Sequence, residues 1–284
     1  MKLVTVEIDR RAQAGILDGA DVLLLGASLK DILASGTDLR KLSGKQRVSG
    51  KSARLLAPIP DPAIVLSVGM NYHEHLKEMK TPVPEKPAAF TKSVASIIAS
   101  GEAIKVPASN PNMLDWEGEF SVVIGKVCHR VKAAQALDYV AGYTLVNDVS
   151  ARDWVAPIFK AQGIMGPIHA WEHNLLGKMF PTFCPMGPCM LTKDELPDPG
   201  NVQIQTRLNG TVMQDANTDD LVFSVPQLIE YYSQFYLLRP GDVITTGSPS
   251  GVGFGRDPKV FMKPGDVVEV EVKQIGVLRN PIEA

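Results

Sequence analysis

Glu117 and Glu119, separated only by Gly118, lead into the apolar run Phe120-Ser121-Val122-Val123-Ile124-Gly125. In a strand alternate side chains share a face, so Asp115, Glu117 and Glu119 would form a carboxylate row opposite Trp116, Phe120, Val122 and Ile124. Neighbouring carboxylates raise one another's pKa or demand a cation, and a hard divalent ion meets that demand. A bare Glu-x-Glu is more often an amphipathic edge strand with its acids in water. A third acid shifts that balance. Asp148 closes the run Tyr143-Thr144-Leu145-Val146-Asn147, and although Asp148 alone would be an ordinary helix cap, three carboxylates with no soft ligand nearby select Mg²⁺, Mn²⁺ or Ca²⁺ over zinc or copper.

His75 and Glu78 stand three residues apart in Tyr72-His73-Glu74-His75-Leu76-Lys77-Glu78-Met79. On a helix that spacing puts both on one face, where Glu78 can hold the imidazole as a base that deprotonates water. His73 and Glu74 fall off this face and are expected in solvent. The zincin order His-Glu-x-x-His is absent. Lys178, in Leu175-Leu176-Gly177-Lys178-Met179-Phe180, is a lone cation among apolar neighbours that could stabilise an oxyanion or deliver a proton. A snorkelling surface lysine is its commoner role. The run Thr245-Thr246-Gly247-Ser248-Pro249-Ser250-Gly251-Val252-Gly253 fails as a dinucleotide fingerprint because Arg256-Asp257-Pro258 precludes a following helix. It fails as a nucleophile elbow because Pro249 stands where the serine must. What survives is a tight turn offering backbone N–H groups and the Thr246 hydroxyl to an anion.

Several elements must position these groups. Short strands are expected around Leu3 to Ile8 and Val22 to Leu25, with a helix over Ser28 to Ala34. Pro58, Pro60 and Pro62 mark a boundary, giving a small N-terminal α/β domain over residues 1–60 and a catalytic domain over residues 61–284. The latter opens with a buried strand, Ala63 to Val68, and a helix over Tyr72 to Met79. Strands follow at Phe120 to Ile124, Tyr139 to Val146, Val202 to Leu208, Val243 to Thr246 and Val267 to Val272. Asn209-Gly210 reads as a type I′ hairpin turn. Only one later helix, Val225 to Phe235, stands out. Without repeated strand–helix alternation, neither a Rossmann fold nor a parallel barrel is expected. The pattern predicts a mostly β domain with flanking helices, in the α+β class.

The 284 residues are 45% apolar with a net charge of -2, enough for a sizeable core and a poor match to nucleic acid or an anionic membrane surface. A small-molecule substrate is the expected partner. Three cysteines without paired Cys-x-x-Cys motifs support neither a disulfide framework nor a zinc finger, and Cys184 and Cys189 are expected to pack rather than react. His129, His169 and His173 have no ligand spacing. The chain begins as an alternating strand rather than a signal peptide, and no apolar stretch reaches membrane-spanning length. A cytoplasmic protein is expected.

In their order along the chain these motifs resemble the fumarylacetoacetate hydrolase family, particularly its bacterial acylpyruvase, fumarylpyruvate hydrolase and hydroxyhepta-dienedioate isomerase branch. The resemblance is carried by Gly69-Met70-Asn71-Tyr72 with His75, Phe90 to Lys92, Asp115-x-Glu117-Gly118-Glu119, Asn147-Asp148-Val149-Ser150-Ala151-Arg152-Asp153, Lys178 before Thr182-Phe183, and Thr246-Gly247-Ser248-Pro249-x-Gly251-Val252-Gly253. It runs from about Ile64 to the C-terminus. It implies a mixed β-roll catalytic domain, a homodimer and a Mg²⁺ or Mn²⁺ ion held by Glu117, Glu119 and Asp148, with no organic cofactor. It further implies His75 and Glu78 on a lid, Lys178 beside the reacting atoms, and Arg152, Thr246 and Gly247 at the substrate.

The activity so implied is carbon–carbon hydrolysis of a 2,4-dioxo acid such as an acylpyruvate. His75, oriented by Glu78, would deprotonate water for attack on the distal carbonyl, and Lys178 would neutralise or protonate the departing enolate. The same enolate chemistry serves decarboxylation of oxaloacetate and isomerisation of 2-hydroxy-diene-dioates, and a non-catalytic ligand-binding relative is the alternative from another class. Retention of all six chemical residues argues against that last reading. Two departures bear on substrate choice. Val155 replaces a polar residue often found three positions after the family arginine, and the segment from Trp154 to His173 is longer than in compact members, placing Phe159, Met165 and Trp171 where they could reshape a pocket.

Overall fold

A computed structural model of the chain describes residues 1–51, 53–155 and 162–284, with the backbone alone for Trp154 and Val155. The expectations for the Trp154 and Val155 side chains and for Phe159 therefore lie outside the described residues. Among the described residues no helix is long and apolar enough to cross a membrane.

The strand that carries Glu119, Gly118–Ile124, is buried at all seven positions. It pairs antiparallel with Val140–Asn147 on one side and with Val243–Thr245 on the other. The edge-strand alternative is thus excluded: this strand lies inside the sheet, and its apolar residues face two layers rather than one layer and water. Phe120, Val122 and Ile124 join a core with Ile204, Val270 and Leu278, and Phe120 stacks on Tyr143 with ring centroids 5.1 Å apart. Val123 packs on the other side with Leu29, Ile32 and Leu33 of the helix Leu29–Ala34.

The large sheet runs from Ala88–Thr91 through Val65–Gly69, Val243–Thr245, Gly118–Ile124, Val140–Asn147 and Cys184–Thr192 to Lys2–Ile8, then to Arg11–Asp18, Asp21–Leu24 and Gln46–Ser49. Only the Val243–Thr245 to Val65–Gly69 pairing along this path is parallel. The N-terminal strands continue this sheet, since Lys2–Ile8 pairs with Cys184–Thr192. A second sheet holds Thr211–Asn217, Gln203–Leu208, Val267–Val272, Gly276–Glu283 and Ile104–Lys105. It packs on the first so closely that a Cβ on Gly118 would lie 2.2 Å from Thr206 Oγ1 and 3.0 Å from both Val270 methyls. Gly118 is the residue between the two glutamates, and lack of space explains it.

The mostly β architecture agrees with the pattern of the sequence. Asn209 and Gly210 both take positive φ, 51° and 81°, and turn Gln203–Leu208 into Thr211–Asn217 with Leu208 opposite Thr211, as an Asn-Gly hairpin requires. Ser28 caps Leu29–Ala34 by accepting from Asp31 N, and Ser224 with Gln227 forms a capping box at Val225–Ser233. One helix was not anticipated. Met165–Leu176 spans 12 residues and buries only Ala170, with its apolar Met165, Ile168, Trp171 and Leu176 exposed, and Gly166 and Pro167 in its first turn are the poor helix formers that hide it in the sequence.

Candidate active site

Backbone pairing brings the three acids together. Gly118 sits opposite Asn147, Asp148 N donates to Glu117 O at 2.8 Å, and the Asn147 side chain accepts from Glu117 N at 2.9 Å. One carboxylate oxygen from each of Glu117, Glu119 and Asp148 then lies within 4.8 Å of the others, and all three side chains are buried.

Buried carboxylates need counter-charge. Lys178 Nζ donates to Glu117 Oε2 at 2.5 Å and to Asp148 Oδ2 at 2.7 Å. Arg152 bridges Asp115 Oδ2 at 2.8 Å and Glu117 Oε1 at 2.5 Å. Asp148 Oδ1 is met by Lys92, and Asp148 Oδ2 accepts from the Ser67 hydroxyl at 3.0 Å. Within this cluster the buried charged groups are four acids, Asp115, Glu117, Glu119 and Asp148, against three cations, Lys92, Arg152 and Lys178. Burial pushes the Glu117 carboxyl up, but Lys178 and Arg152 outweigh it and hold Glu117 well below the usual range. Glu119 is relieved less: burial first, then the charges of Asp148 and Glu117, outweigh a Thr245 hydrogen bond and the Lys178 charge and raise it well above the usual carboxylate value, and among the described residues its Oε2 has no hydrogen-bond partner. An all-carboxylate set with one unsatisfied buried oxygen fits a hard divalent cation.

His75 and Glu78 lie on the short helix His73–Glu78. His75 Nδ1 is 2.8 Å from Glu78 Oε2, and Glu78 Oε1 accepts from Gly251 N at 2.9 Å. The dyad geometry expected of this spacing is present, with His75 buried and His73 and Glu74 exposed. Asn71 anchors the helix start. Its side chain donates to Phe223 O and Thr246 O and accepts from Phe223 N.

The glycine turn links the two halves of the site. Gly251 holds Glu78 by its N–H and receives the Trp116 indole N–H on its carbonyl at 3.2 Å. Gly253 N and Phe254 N donate to Asp115 at 2.7 and 3.1 Å, which in turn holds Arg152 against Glu117. Gly253 cannot carry a side chain here, because a Cβ would lie 1.9 Å from the Val260 carbonyl oxygen.

Of the residues expected at substrate, Arg152 is committed to Asp115 and Glu117, behind the carboxylates. The Thr246 hydroxyl donates to Phe120 O at 2.8 Å, as does Thr246 N at 3.0 Å. Gly247 turns with φ 93° against Asn71. These three frame the site through the sheet and the turn. Sequence reasoning had not assigned roles to Lys92, Ser67 and Asn147. A charge balance was the available signal for Lys92: four acids drawn into one core require more cations than Arg152 and Lys178 provide.

Residues 64–283 match the sequence profile described as fumarylacetoacetate (FAA) hydrolase C-terminal, a span that contains every candidate site residue. The chain belongs to the fumarylacetoacetate hydrolase family. A Xenopus laevis protein named a mitochondrial oxaloacetate tautomerase is 41% identical over 262 residues, covering 92% of this chain and 77% of the relative. A Homo sapiens protein, also named a mitochondrial oxaloacetate tautomerase, is 45% identical over 227 residues, covering 80% of this chain and 68% of its own length. The solved structure of a 5-carboxymethyl-2-hydroxymuconate delta-isomerase from Mycobacterium smegmatis has a TM-score of 0.80 at 31% identity, over 100% of this chain and 99% of that one. The fold of that structure is therefore shared along the whole length, N-terminal strands included.

Proposed function

We propose that this chain is a divalent-cation-dependent enzyme of enolate chemistry whose first substrate is a short 2-oxo dicarboxylate of the oxaloacetate type, which it interconverts between keto and enol forms. The observation that carries this reading is the buried Glu117, Glu119 and Asp148 cluster, whose Glu119 Oε2 lacks a partner among the described residues. Names of the 41–45% identical relatives support the substrate class. Glu117, Glu119 and Asp148 would hold the cation, with Mg²⁺ or Mn²⁺ suited to oxygen donors. When bound, such an ion supplies Lewis acidity to the 2-oxo and carboxylate oxygens of the substrate.

The chain's own groups then divide the proton work. Glu78, fixed by the Gly251 N–H, holds the His75 ring by Nδ1, leaving Nε2 to take the proton from C3 of the keto acid. The electron pair moves into the C2–C3 bond and the charge onto the C2 oxygen, which takes a proton from water while His75 returns its own to solvent, completing the enol. Lys178, already donating to Glu117 and Asp148, supplies positive charge beside the developing enolate. The steps run backwards for ketonisation. Three buried free thiols suit a reducing compartment. The cytoplasm is one such compartment, and the relatives' names point to mitochondria as another. A homodimer is the assembly we expect.

The His75–Glu78 pair also favours a second reading, in which the same base deprotonates water and an acylpyruvate is cleaved to pyruvate and a carboxylic acid. A substrate panel separates the readings. Oxaloacetate and an acylpyruvate are each incubated with protein and Mg²⁺ or Mn²⁺, enol loss is followed by ultraviolet absorbance, and products are identified by NMR. Enol loss from oxaloacetate without pyruvate supports the tautomerase. Carboxylic acid release from the acylpyruvate as the faster reaction supports the hydrolase, and pyruvate from oxaloacetate marks a decarboxylase. Cation-dependent ligand binding with no turnover of either compound would leave a binding protein.

A further inference from the structure

Lys92 follows the strand Ala88–Thr91 at one end of the large sheet, and its side chain has no exposure to solvent. Its ammonium donates to Asp148 Oδ1 and, at 2.8 Å, to the backbone carbonyl of Lys178. Asp148 Oδ2 has other partners, Lys178 Nζ at 2.7 Å and the Ser67 hydroxyl at 3.0 Å. One carboxylate thus faces two surroundings. Oδ2 lies on the side of the cation that also reaches Glu117, whereas Oδ1 is taken by a cation that solvent cannot reach. Burying an ammonium is costly unless charge and hydrogen bonds compensate, and here both do. Lys92 also fixes the main chain of Lys178, so one side chain sets the position of an acid in the cluster and of the lysine that bridges it.

Cations differ in what they ask of a carboxylate. Ca²⁺ takes about six to eight oxygens and readily accepts both from one carboxylate, while Mg²⁺ demands octahedral geometry with few carboxylates. An aspartate with one oxygen reserved offers only the other. We propose that Lys92 is a positioning residue that reserves Asp148 Oδ1, limits Asp148 to a single donor oxygen, and so favours Mg²⁺ or Mn²⁺ over Ca²⁺. This rests on the reading of Glu117, Glu119 and Asp148 as a cation site.

The test measures binding without substrate. Full-length wild type, Lys92→Met and Lys92→Arg are titrated with Mn²⁺, followed by the electron paramagnetic resonance of the free ion, and with Ca²⁺ in competition. In Lys92→Met the ratio of Mn²⁺ to Ca²⁺ affinity falls about tenfold, as losing the outer partner of a metal ligand commonly costs. Lys92→Arg keeps the charge and a donor to Oδ1 and gives an intermediate ratio. A folded Lys92→Met with the wild-type ratio overturns the role of Lys92 while leaving the cation site intact. Wild type that binds neither ion overturns the site itself. Should Lys92→Met fail to fold, Lys92→Arg decides: a reduced ratio supports the proposal and the wild-type ratio overturns it.

Discussion

With Arg152 and Lys178 drawn to Glu117, and Lys92 to Asp148, Glu119 keeps one buried oxygen without a partner among the described residues. Removing its charge should relieve the cation-free protein while spoiling its cation site. Glu119→Gln is therefore expected to raise stability in chelator by about 1 kcal/mol, a midpoint shift of roughly 2 °C for a chain of this size. It should also abolish the rise in melting temperature that Mg²⁺ or Mn²⁺ gives the wild type. Thermal melts of both proteins with chelator and with each ion check this, and an equal ion-induced rise in the two would reject Glu119 as a ligand. At the dyad, Glu78 orients the His75 ring through one oxygen and is itself fixed through the other. His75→Ala is expected to lower kcat by about a hundredfold or more, the usual contribution of a general base, with Mn²⁺ affinity unchanged. Wild-type turnover in that variant would remove His75 from the mechanism.

At the level of elements, the site is a consequence of close approach between two sheets and a turn. Gly118 separates the two glutamates because Thr206 and Val270 of the second sheet leave no room for a side chain. Gly118→Ala should cost about 1 to 3 kcal/mol through overpacking, measured as a lower urea midpoint with an unchanged slope. An undisturbed midpoint would mean that the sheets separate easily there. That Glu117 and Glu119 share a face was legible because strand periodicity fixes it, and His75 with Glu78 because helix periodicity does the same, whereas Asp148 joins them only through the family resemblance. Long-range pairing was not legible. Nothing local in Phe90-Thr91-Lys92 says that the lysine will meet an aspartate 56 residues later, and nothing near Arg152 says that Asp115 will take one of its donors. The helix Met165–Leu176 escaped for a local reason, since Gly166 and Pro167, both poor helix formers, stand in its first turn.

Over the whole molecule, the large sheet places the acids in its middle and the helix His73–Glu78 at the turn, and the thiols are shut away in its apolar clusters. Cys128, Cys184 and Cys189 are all buried and free, and burial pushes the Cys184 thiol up to about 12 and the Cys189 thiol up to about 11. Because the thiolate is the reactive form, iodoacetamide at pH 8 should label none of the three in the folded protein and all three in urea, read by intact mass. Rapid labelling of the folded protein would show that the core opens more readily than its packing implies. In the proposed function the buried carboxylates hold a cation at which an oxaloacetate-type enolate is handled by His75 and Lys178. The most direct measurement of this follows the ultraviolet absorbance of enol oxaloacetate mixed with the protein, in Mg²⁺ or Mn²⁺ and in excess chelator. Decay faster than in the same ion without protein is expected, and that excess is lost in chelator or in Glu119→Gln. Acceleration that survives the chelator, or no acceleration with either ion, would contradict it.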